Sequence, residues 1–571
     1  MDLNRLMQTG RCGMFVRTFP AIAVCVFSVI AFADTKTWNP TVADGGVYKW
    51  NNAANWSPAG VPSEDDVLVF NSSAAAIDST NDISGLTLLG IEFSGANAIV
   101  LSGTGIGFRS GAYLRAEECS AAITMGIPLA VPEEGITISA TSNATGAVTW
   151  DFTAPFSGAG DIVFAGDHTA TVNFRANSPA FDGTLYLYNA AAYHAWTDGA
   201  FGSTAGAMYY RVYAGSSRDN AGHFVSPLWL HGITTSEKLI LGSNCSIGLC
   251  IADGTTNVLN GTVDGISPNP NIEIERWWIG TNACVRFNET VGCRSQRDSH
   301  NFESVILYGQ PGCRVEFNGR CNGGELHQCM VDSTGVLAIN HPLEPDTKYL
   351  GIYGAGLIKF GCWDALYADW ERPVQLQFGT TRPNMIDLGG YEQTFADVLD
   401  HAYMYNTTVT NSGSPTTLTL MASDALNFRM SLAGDLGLCL ASDVTFTLSG
   451  RNLAATGPLT LKSGTTLAFD CPGAWAGTEV AVTDASRLLL DAMRLDRATT
   501  LSISSGGKLV LSEGVTQRCR YLDLDGVRQG KGTWGSGESG SPAVNFTDAT
   551  HFEGQGVFRA VGETATTVSV R

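Results

Sequence analysis

Short runs that alternate apolar and polar residues constrain the fold of this chain more than any other feature. Clear examples are TTLTLM (416–421), VTFTLSG (444–450), PLTLKSG (458–464), TLSISSGG (500–507) and KLVLS (508–512). In an extended backbone, such alternation directs apolar side chains to a core and Thr, Ser or Lys to water. Gly, Ser, Asn and Asp separate the runs, and no long stretch after residue 33 has a helical apolar period. The sequence therefore predicts an all-β fold.

A second regularity is the phrase Gly-x-Gly followed by an alternating run. It occurs at 101–108 (LSGTGIGF), 156–164 (FSGAGDIVF), 353–360 (YGAGLIKF) and 552–560 (FEGQGVFRA), and 431–440 (SLAGDLGLCL) is a looser copy. Glycine suits a turn because it reaches positive φ and lets neighbouring backbones approach closely. A phosphate-binding glycine loop opens a helix, whereas each of these leads into a strand. The phrase therefore predicts a repeated turn and not a nucleotide site.

Degenerate repetition at this scale is typical of a solenoid, in which two or three strands form one turn and successive turns stack in parallel. Composition agrees, since 65 of the 571 residues are glycine and only 15% are charged, against the usual ~25%. An array of β-sandwich domains is the alternative, because regularly spaced short strands fit it as well. No obvious linker divides the chain, so a parallel β-helix is the leading prediction.

Several longer phrases resemble the autotransporter-associated β-strand repeat proteins of bacteria. They are MIDLGGYEQTFADVL (385–399), TFTLSGRNLAATGPLTLKSGTTLAF (445–469), SGGKLVLSEGV (505–515) and NSPAFDGTLYLYN (177–189). The opening at 50–70 and the close at 522–537 are similar to the usual beginning and ending of that family. The resemblance covers roughly half of the chain after residue 33, mainly its two ends.

The resemblance implies a right-handed parallel β-helix on, or released from, the surface of a Gram-negative-type bacterium. It implies a scaffold without catalytic residues, and function does not follow from such a fold alone. Full autotransporters end in a membrane β-barrel, whereas this chain stops at TATTVSVR (564–571). We therefore expect export by a general route with a separate surface attachment.

The first 33 residues are typical of a secretory signal peptide. Arg5, Arg11 and Arg17 precede an apolar run at 21–32, and Ala31-Phe32-Ala33 fits a cleavage site. No later segment is typical of a membrane span. The net charge of −20 offers no basic surface for nucleic acid or anionic lipid. We expect a secreted or cell-surface protein that binds no nucleic acid and has no membrane span in its mature chain.

The sequence predicts six consecutive segments. They are a signal peptide (1–33), an N-terminal cap with the first strand (34–75), β-helix repeats (76–219), a cysteine-rich β-helix section with loop excursions (220–380), further repeats (381–520) and a C-terminal cap (521–571). In the second segment, Trp50 and Trp56 are large enough to cover the apolar end of the first turn. Asp65 and Asp66 are consecutive, so an extended backbone directs them to opposite faces. This segment is therefore predicted to be a cap and not a catalytic site.

Cysteine usage predicts disulfide bonds. Of the 14 cysteines, Cys12 and Cys25 lie in the signal segment, and eight of the other twelve fall between Cys245 and Cys362. An even number of cysteines in an exported protein favours disulfides over metal ligands. In CRVEFNGRCNGGELHQC (313–329), three cysteines stand eight residues apart with His327 beside the last, whereas structural zinc sites pair cysteines two to four residues apart. We expect disulfides between neighbouring turns here, and likewise at Cys245 and Cys250 and at Cys284 and Cys293.

The segment WDALYADWERP (363–373) interrupts the strand pattern and is predicted to form a loop. Functional residues favour loops on rigid scaffolds, and aromatic faces beside carboxylates can stack on a sugar ring and bind its hydroxyls. The alternative is a loop whose aromatic side chains cover an exposed part of the core. The candidate glycan-contacting residues are Trp363, Asp364, Tyr367, Asp369, Trp370, Glu371 and Arg372.

No phrase in the sequence indicates a catalytic triad, a metal centre or a cofactor. The nine histidines are scattered, and HExxH and GxSxG phrases are absent. The leading hypothesis is a noncatalytic, adhesin-like β-solenoid with a structural or adhesive role, with extracellular or surface glycans as its expected partners. The alternatives are a carbohydrate-active β-helix, either a polysaccharide lyase or a glycoside hydrolase, and a passive glycan-binding protein.

Overall fold

The structure is a computed structural model. It describes residues 34–142, 146–165, 170–188, 191–212, 225–243, 247–266, 274–294, 304–322, 324–344, 347–366, 374–379, 382–396, 398, 403–471, 473–492, 494–495, 500–538 and 543–562. The predicted signal peptide, residues 1–33, lies outside the described residues.

The first part of the chain consists of short strands joined by turns. They are β1 (Thr35–Trp38), β2 (Trp56–Ser57), β3 (Val67–Asn71), β4 (Ile77–Asn81), β5 (Thr87–Gly95), β6 (Ile99–Gly103), β7 (Ile106–Cys119), β8 (Ala122–Gly126), β9 (Leu129–Ala130), β10 (Ile136–Ser142), β11 (Thr149–Phe152), β12 (Phe156–Gly158), β13 (Ile162–Ala165), β14 (Thr171–Phe174), β15 (Ala180–Phe181), β16 (Thr184–Tyr188), β17 (Ala192–Ala195), β18 (Ala207–Val212) and β19 (Val225–Leu230).

The middle part continues in the same way. Its strands are β20 (Thr234–Thr235), β21 (Lys238–Ser243), β22 (Ile247–Ile251), β23 (Thr256–Leu259), β24 (Val263–Ile266), β25 (Ile274–Ile279), β26 (Cys284–Phe287), β27 (Val291–Arg294), β28 (Ser304–Gly309), β29 (Arg314–Phe317), β30 (Cys321–Asn322), β31 (Gly324–Gln328), β32 (Val336–Ile339), β33 (Thr347–Ile352), β34 (Gly356–Phe360), β35 (Gln375–Phe378), β36 (Asn384–Asp387), β37 (Gln393–Ala396) and β38 (Thr407–Thr410).

The last part completes the strand series. It contains β39 (Thr416–Met421), β40 (Leu426–Phe428), β41 (Ser431–Gly434), β42 (Leu436–Leu440), β43 (Thr445–Leu448), β44 (Leu453–Ala455), β45 (Leu459–Leu461), β46 (Thr466–Phe469), β47 (Glu479–Val482), β48 (Arg487–Leu490), β49 (Thr500–Ile503), β50 (Lys508–Leu511), β51 (Thr516–Cys519), β52 (Tyr521–Leu524), β53 (Val527–Arg528), β54 (Gly532–Gly535), β55 (Phe546–Thr547), β56 (Phe552–Gly554) and β57 (Val557–Ala560). The helical elements of the described chain are two single 3-10 turns, Ala53–Asn55 and Met404–Asn406. No helix in the described residues is long and apolar enough to cross a membrane.

The strands stack into a parallel β-solenoid of about 16 turns. In the middle of the chain, one turn contributes β21 to a 16-stranded sheet, β22 to a 13-stranded sheet and β23 to a 10-stranded sheet. We call these sheets face 1, face 2 and face 3. Further along, the 8-stranded and 6-stranded sheets complete the turns, together with face 3 as far as its last strand, β44. Successive turns pair in parallel, and antiparallel pairs occur at the two ends, between β1 and β2, β52 and β53, and β54 and β57.

The prediction of an all-β parallel β-helix is confirmed, and the alternative of a β-sandwich array is not what the chain forms. Parallel strands stack about 4.8 Å apart, so the solenoid is roughly 75 Å long. Apolar side chains at alternate positions point inward and form one hydrophobic cluster that runs from Trp38 to Ala560. The Gly-x-Gly phrases form turns as predicted: Gly103, Gly158, Gly434 and Gly554 have positive φ, and in the remaining copy Gly356 does.

A ladder of asparagine side chains joins four consecutive turns, and each asparagine directly follows a strand of face 3. Asn288 Nδ2 donates to Asn260 Oδ1 (2.7 Å), Asn318 Nδ2 donates to Asn288 Oδ1 (2.7 Å), and Asn340 Nδ2 donates to Asn318 Oδ1 (2.6 Å). Each amide in the interior of the ladder donates one bond and accepts another. The ladder therefore fixes the register of these turns with side chains as well as with the backbone.

Asn318→Ala should lower the free energy of unfolding by about 1–2 kcal/mol, because it removes one donated and one accepted hydrogen bond. Urea unfolding followed by circular dichroism measures this change. The exposed loop residue Asn51 provides the control, and Asn51→Ala should leave the midpoint unchanged. Equal midpoints for the two variants would show that the ladder contributes nothing to stability.

The predicted disulfide bonds are wrong for the described cysteines, all ten of which are free: Cys119, Cys250, Cys284, Cys313, Cys321, Cys329, Cys362, Cys439, Cys471 and Cys519. The geometry of the turn is the reason. Cys313 precedes β29 on face 3, Cys321 lies in β30 on face 1, and Cys329 follows β31 on face 2. A spacing of eight residues therefore carries successive cysteines to different faces. Cys250 and Cys284 are free as well, so neither forms the predicted bridge to Cys245 or Cys293.

Burial explains the chemistry of these thiols. It raises the pKa of all ten, to about 11 for Cys313 and Cys329 and to about 12 for Cys321. A protonated, buried thiol is a poor nucleophile and packs as a small apolar group. The seven buried cysteines of the described chain, all except Cys284, Cys329 and Cys362, therefore act as core residues, and none of the ten forms a cross-link.

Three tryptophans pack together at the N-terminal end of the solenoid. Trp50 is fully buried, and Trp38 and Trp56 are 5% and 2% exposed. The Trp56 ring lies 4.8 Å from the Trp38 ring and 5.9 Å from the ring of Phe70, which belongs to β3. Trp56 Nε1 donates a hydrogen bond to the Trp50 carbonyl oxygen at 2.9 Å. This arrangement is what a cap on the first turn requires.

Candidate functional site

Two of the seven predicted glycan-contacting residues lie within the described residues. Trp363 is 59% exposed, and its ring meets Tyr391 edge-on with 6.1 Å between centroids. Asp364 has a φ of +43°, and its Oδ1 accepts a hydrogen bond from the Thr394 hydroxyl at 3.2 Å. The other five, Tyr367, Asp369, Trp370, Glu371 and Arg372, lie outside the described residues, so a glycan site in this loop stays a prediction.

A β-bulge on face 1 forms a different candidate site. Two residues of β7, Glu117 and Glu118, lie where the neighbouring strands β5 and β10 have one residue each, Ser94 and Thr141. Both glutamates are exposed, and Glu118 has a φ of +46°, which is uncommon for a residue other than glycine. Bulges re-aim side chains and are frequent beside functional sites. This bulge therefore brings two carboxylates to the outer side of face 1.

Arg115 connects the carboxylates of this region. Its Nη2 lies 2.5 Å from Glu92 Oε1, and its Nη1 lies 3.2 Å from Glu117 Oε1. The guanidinium carbon is 4.8 Å from the centre of the Tyr113 ring, and the Tyr113 hydroxyl donates to the same Glu92 oxygen at 2.9 Å. Burial, followed by this hydrogen bond, raises the pKa of Tyr113, so its hydroxyl stays protonated and remains a donor. We call Glu92, Tyr113, Arg115, Glu117 and Glu118 the bulge site.

The backbone beneath Tyr113 leaves space for its ring. Gly90 lies opposite Tyr113 in the parallel register of β5 and β7. A Cβ atom at Gly90 would lie 2.8 Å from the Tyr113 Cζ atom, closer than two carbon atoms approach without a bond. A glycine at this position therefore allows the ring to lie across the strand, which directs its hydroxyl towards Glu92.

The bulge site borders a concavity of about 780 Å³ on the outside of the solenoid. Its lining includes Asn71, Ser73 and Thr141 beside the charged groups of the site. Three carboxylates and one guanidinium give the lining a net charge of −2. The concavity therefore combines hydrogen-bond donors and acceptors with an excess of negative charge.

The bulge site is better suited to binding than to glycosidic bond cleavage. Glu92 and Glu117 contact the same guanidinium, so their carboxylates lie near each other, as the paired carboxylates of glycoside hydrolases do. General acid catalysis, however, requires one carboxyl group in apolar surroundings that keep it protonated. Here both carboxylates share a cationic partner at an open, polar surface. The arrangement offers fixed hydrogen-bonding groups for a polyhydroxylated ligand.

Face 2 carries a second unusual group, a stack of histidine and tryptophan rings. His194 of β17 and Trp229 of β19 occupy neighbouring outward positions, and Trp196 and His231 follow the same two strands. The Trp196 and His231 rings are parallel within 7° and 3.6 Å apart between centroids, and Arg175 covers the other side of Trp196 at 4.7 Å. Both faces of the Trp196 indole are therefore occupied by protein groups, so this ring is unavailable for stacking on a sugar.

Sequence reasoning missed both groups, and each left a different signal. The apolar alternation of β7 slips by one position between Ala116 and Cys119, which marks the bulge. His194 and His231 are 37 residues apart in the sequence. Their contact depends on the number of residues in the turns between them, which no local pattern shows. Comparisons of this chain with protein-family models, with curated proteins and with solved structures found no match.

Proposed function

We propose that this chain is a noncatalytic, adhesin-like β-solenoid of a bacterial cell surface or extracellular space, and that the bulge site is its contact for glycans. The single observation that carries the glycan contact is the concavity of about 780 Å³ that Glu92 and Arg115 line, with Glu92 held in place by Arg115 and by the Tyr113 hydroxyl. Clefts with a few convergent polar groups are the usual form of a ligand site. The resemblance to autotransporter-associated repeats and the signal-like N-terminus support the extracellular assignment.

The geometry suits an adhesive role. The solenoid is roughly 75 Å long at about 4.8 Å per turn, and a stack of that kind is stiff because each turn pairs with the next along several strands. The bulge site lies near the N-terminal end of the described solenoid, in the strands β5 and β7. A rod that presents a polar concavity near one end can hold a ligand at a distance from the point where the rod is attached.

The ligand class follows from the charges of the site. A net charge of −2 in the lining disfavours uronic acids and sulfated sugars, because like charges at short range repel. Neutral and amine-bearing sugars bring hydroxyl and ammonium donors that carboxylates accept. We therefore expect the protein to bind neutral or amine-bearing glycans and to discriminate against anionic ones.

A glycan array tests this function with two matched arginine variants. Arg115→Met should weaken the binding of neutral glycans at least about tenfold, since it removes the charge-assisted hydrogen bonds, of about 1.5–3 kcal/mol, that hold Glu92 and Glu117 in place. Arg487 is the control, because it also forms an ion pair, with Glu553, and is similarly exposed at 44% against 40% for Arg115. Arg487→Met should bind as the unmodified protein does.

Three results would contradict the proposal. The first is that the unmodified protein binds no glycan, and the second is that both arginine variants bind equally well. The third concerns catalysis: release of reducing ends or unsaturated products from a polysaccharide panel, abolished by Glu92→Gln or Glu117→Gln, would establish the carbohydrate-active alternative. That alternative rests on the two carboxylates that share Arg115.

A further inference from the structure

Two columns of outward side chains run along face 1 from the bulge site to a group of tyrosines. Parallel pairing aligns the residues of successive turns, and residues two apart in a strand point to the same side of the sheet. The first column contains Tyr113, Thr137, Val163, Tyr186 and Tyr209, and the second contains Arg115, Ser139, Ala165 and Tyr188. The bulge site and the tyrosines therefore belong to one continuous surface.

Three tyrosine rings are in mutual contact at the far end of these columns, and we call Tyr186, Tyr188 and Tyr209 the tyrosine cluster. The centroid of the Tyr186 ring lies 6.0 Å from that of Tyr188 and 5.6 Å from that of Tyr209. The ring planes of these two pairs are inclined by 42° and 47°, and those of Tyr188 and Tyr209 by 79°. No pair is stacked face to face, and all three side chains are half-buried. Part of the aromatic surface therefore faces solvent.

The two turns between the bulge site and the tyrosine cluster carry small outward side chains. They form what we call the trough, which consists of Thr137, Ser139, Val163 and Ala165, and each of them is at least partly exposed. The Tyr113 ring turns away from the trough, because it lies over Gly90 on the opposite side of β7. The trough is therefore lower than the groups at its two ends. From β7 to β16 the surface spans three strand spacings, about 14 Å.

The size of this surface favours a narrow ligand over a folded protein. Residues two apart in a strand are separated by about 7 Å, and the strands from β7 to β18 span about 19 Å. The two columns therefore cover an area on the order of 100 Å², whereas a stable protein interface buries about 800 Å² on each partner. The surface fits a single extended polymer chain that lies along the solenoid axis.

The chemistry of the surface favours a glycan over an extended peptide. Peptides that bind to sheets do so mainly by pairing with an open strand edge, but β16 pairs with β13 on one side and with β18 on the other. A sugar ring requires no strand edge. Its apolar face packs on an aromatic ring, and its hydroxyls bond to hydroxyl groups such as those of Thr137 and Ser139. All side chains of the trough are uncharged, so they suit an uncharged chain.

We propose that face 1 binds a linear, uncharged glycan chain lengthwise, with one sugar at the bulge site and a later sugar on the tyrosine cluster. This inference rests on the proposed function and deepens it, because it specifies a chain that spans at least three turns of the solenoid instead of a single terminal sugar. The trough holds the sugars in between. The tyrosine cluster is then a second contact for the same chain.

Isothermal titration calorimetry of the unmodified protein with oligosaccharides of increasing length tests this arrangement. The probes are linear oligomers of glucose, mannose, xylose and N-acetylglucosamine, each from the monosaccharide to the hexasaccharide. In at least one series, the hexasaccharide should bind at least about fivefold more tightly than the disaccharide, because the second contact on one chain forms at high effective concentration. This measurement needs no variant.

Replacement of one tyrosine should remove the gain in affinity with chain length. Tyr186→Ala should bind the hexasaccharide at least about fivefold more weakly and the disaccharide as the unmodified protein does, whereas Tyr186→Phe keeps the ring and should retain the gain. Tyr521→Ala is the matched control. Tyr521 is also a half-buried outward residue of a strand, β52, but it lies in the 8-stranded sheet and not on face 1, and its loss should leave both affinities unchanged.

The lengthwise contact and the bulge site fail on different results. A hexasaccharide that binds no more tightly than the disaccharide in any series overturns the lengthwise contact alone, and so does a folded Tyr186→Ala variant that binds the hexasaccharide as Tyr521→Ala does. Disaccharide binding that Arg115→Met leaves unchanged contradicts the bulge site as the glycan contact. If the unmodified protein binds none of the oligosaccharides, both proposals are wrong.

Discussion

Gly160→Ala should destabilise the solenoid by about 3 kcal/mol, the upper range for overpacking a tight contact. An added Cβ atom at this position would lie 1.6 Å from the carbonyl oxygen of Pro132 in the preceding turn. Backbone atoms form the obstacle, so no side chain can rotate away. The next two turns repeat the arrangement, with Gly183 against the Gly160 carbonyl oxygen and Gly206 against that of Gly183. Three stacked glycines thus set the closest approach of four turns at one corner.

Thermal unfolding followed by far-ultraviolet circular dichroism measures this effect. Gly530→Ala is the matched control: nothing lies within 4 Å of a Cβ atom placed there, so this variant should stay within about 0.5 kcal/mol of the unmodified protein. A midpoint for Gly160→Ala equal to that of the control would mean that the turns can move apart. The stacked glycines would then not determine the spacing of the solenoid.

The period of the apolar residues was sufficient to predict an all-β fold. Runs such as TTLTLM (416–421) repeat every second residue, and an alternation of that kind is incompatible with a helix. The degenerate repetition along the chain and the lack of an obvious linker favoured a solenoid over separate sandwiches. These patterns are local in the sequence. The contacts made when the turns stack in parallel favour the same strands and turns.

The bulge site could not be predicted in the same way, because its residues come from different turns. Glu92 and Arg115 are 23 residues apart, and only the register of β5 against β7 places them together. The local signal was the slip in alternation at Glu117 and Glu118, two consecutive exposed residues after the alternating stretch from Ala112 to Ala116. A slip indicates a bulge, but it does not show which side chains of neighbouring turns surround it.

The cysteines show how an assumption about cellular location can mislead. The even number of cysteines and the signal-like N-terminus favoured disulfides, whereas the structure places Cys313 and Cys321 on different faces and leaves both free. The positions of these cysteines in the strand pattern indicated their environment better than the number of cysteines did. Cys313 and Cys321 are 0% and 7% exposed, as expected for small apolar residues in a core.

We expect the first turn of the solenoid to depend on three tryptophans, since within the described residues it has a neighbouring turn on one side only. In a stack of repeats, stability is the sum of each repeat and its interfaces, so a terminal turn lacks one interface. Trp56 replaces part of that interface by packing on Trp38, Trp50 and Phe70. Its removal would expose the buried end of the first sheet to water.

Trp56→Ala should therefore cost about 3–5 kcal/mol, the range for truncating a buried aromatic side chain. The loss should be concentrated at the N-terminal end, where hydrogen–deuterium exchange of β1, β3 and β4 should accelerate while exchange in the middle strands stays unchanged. Trp363→Ala, at a tryptophan that is 59% exposed, is the matched control and should alter neither exchange nor the unfolding midpoint. Unchanged exchange in β1 and β3 of Trp56→Ala would show that the tryptophans do not cap the solenoid. If hydrogen–deuterium exchange accelerated equally along the whole chain, the turns would unfold as one unit. The first turn would then have no stability of its own, and the tryptophans could not act as a local cap.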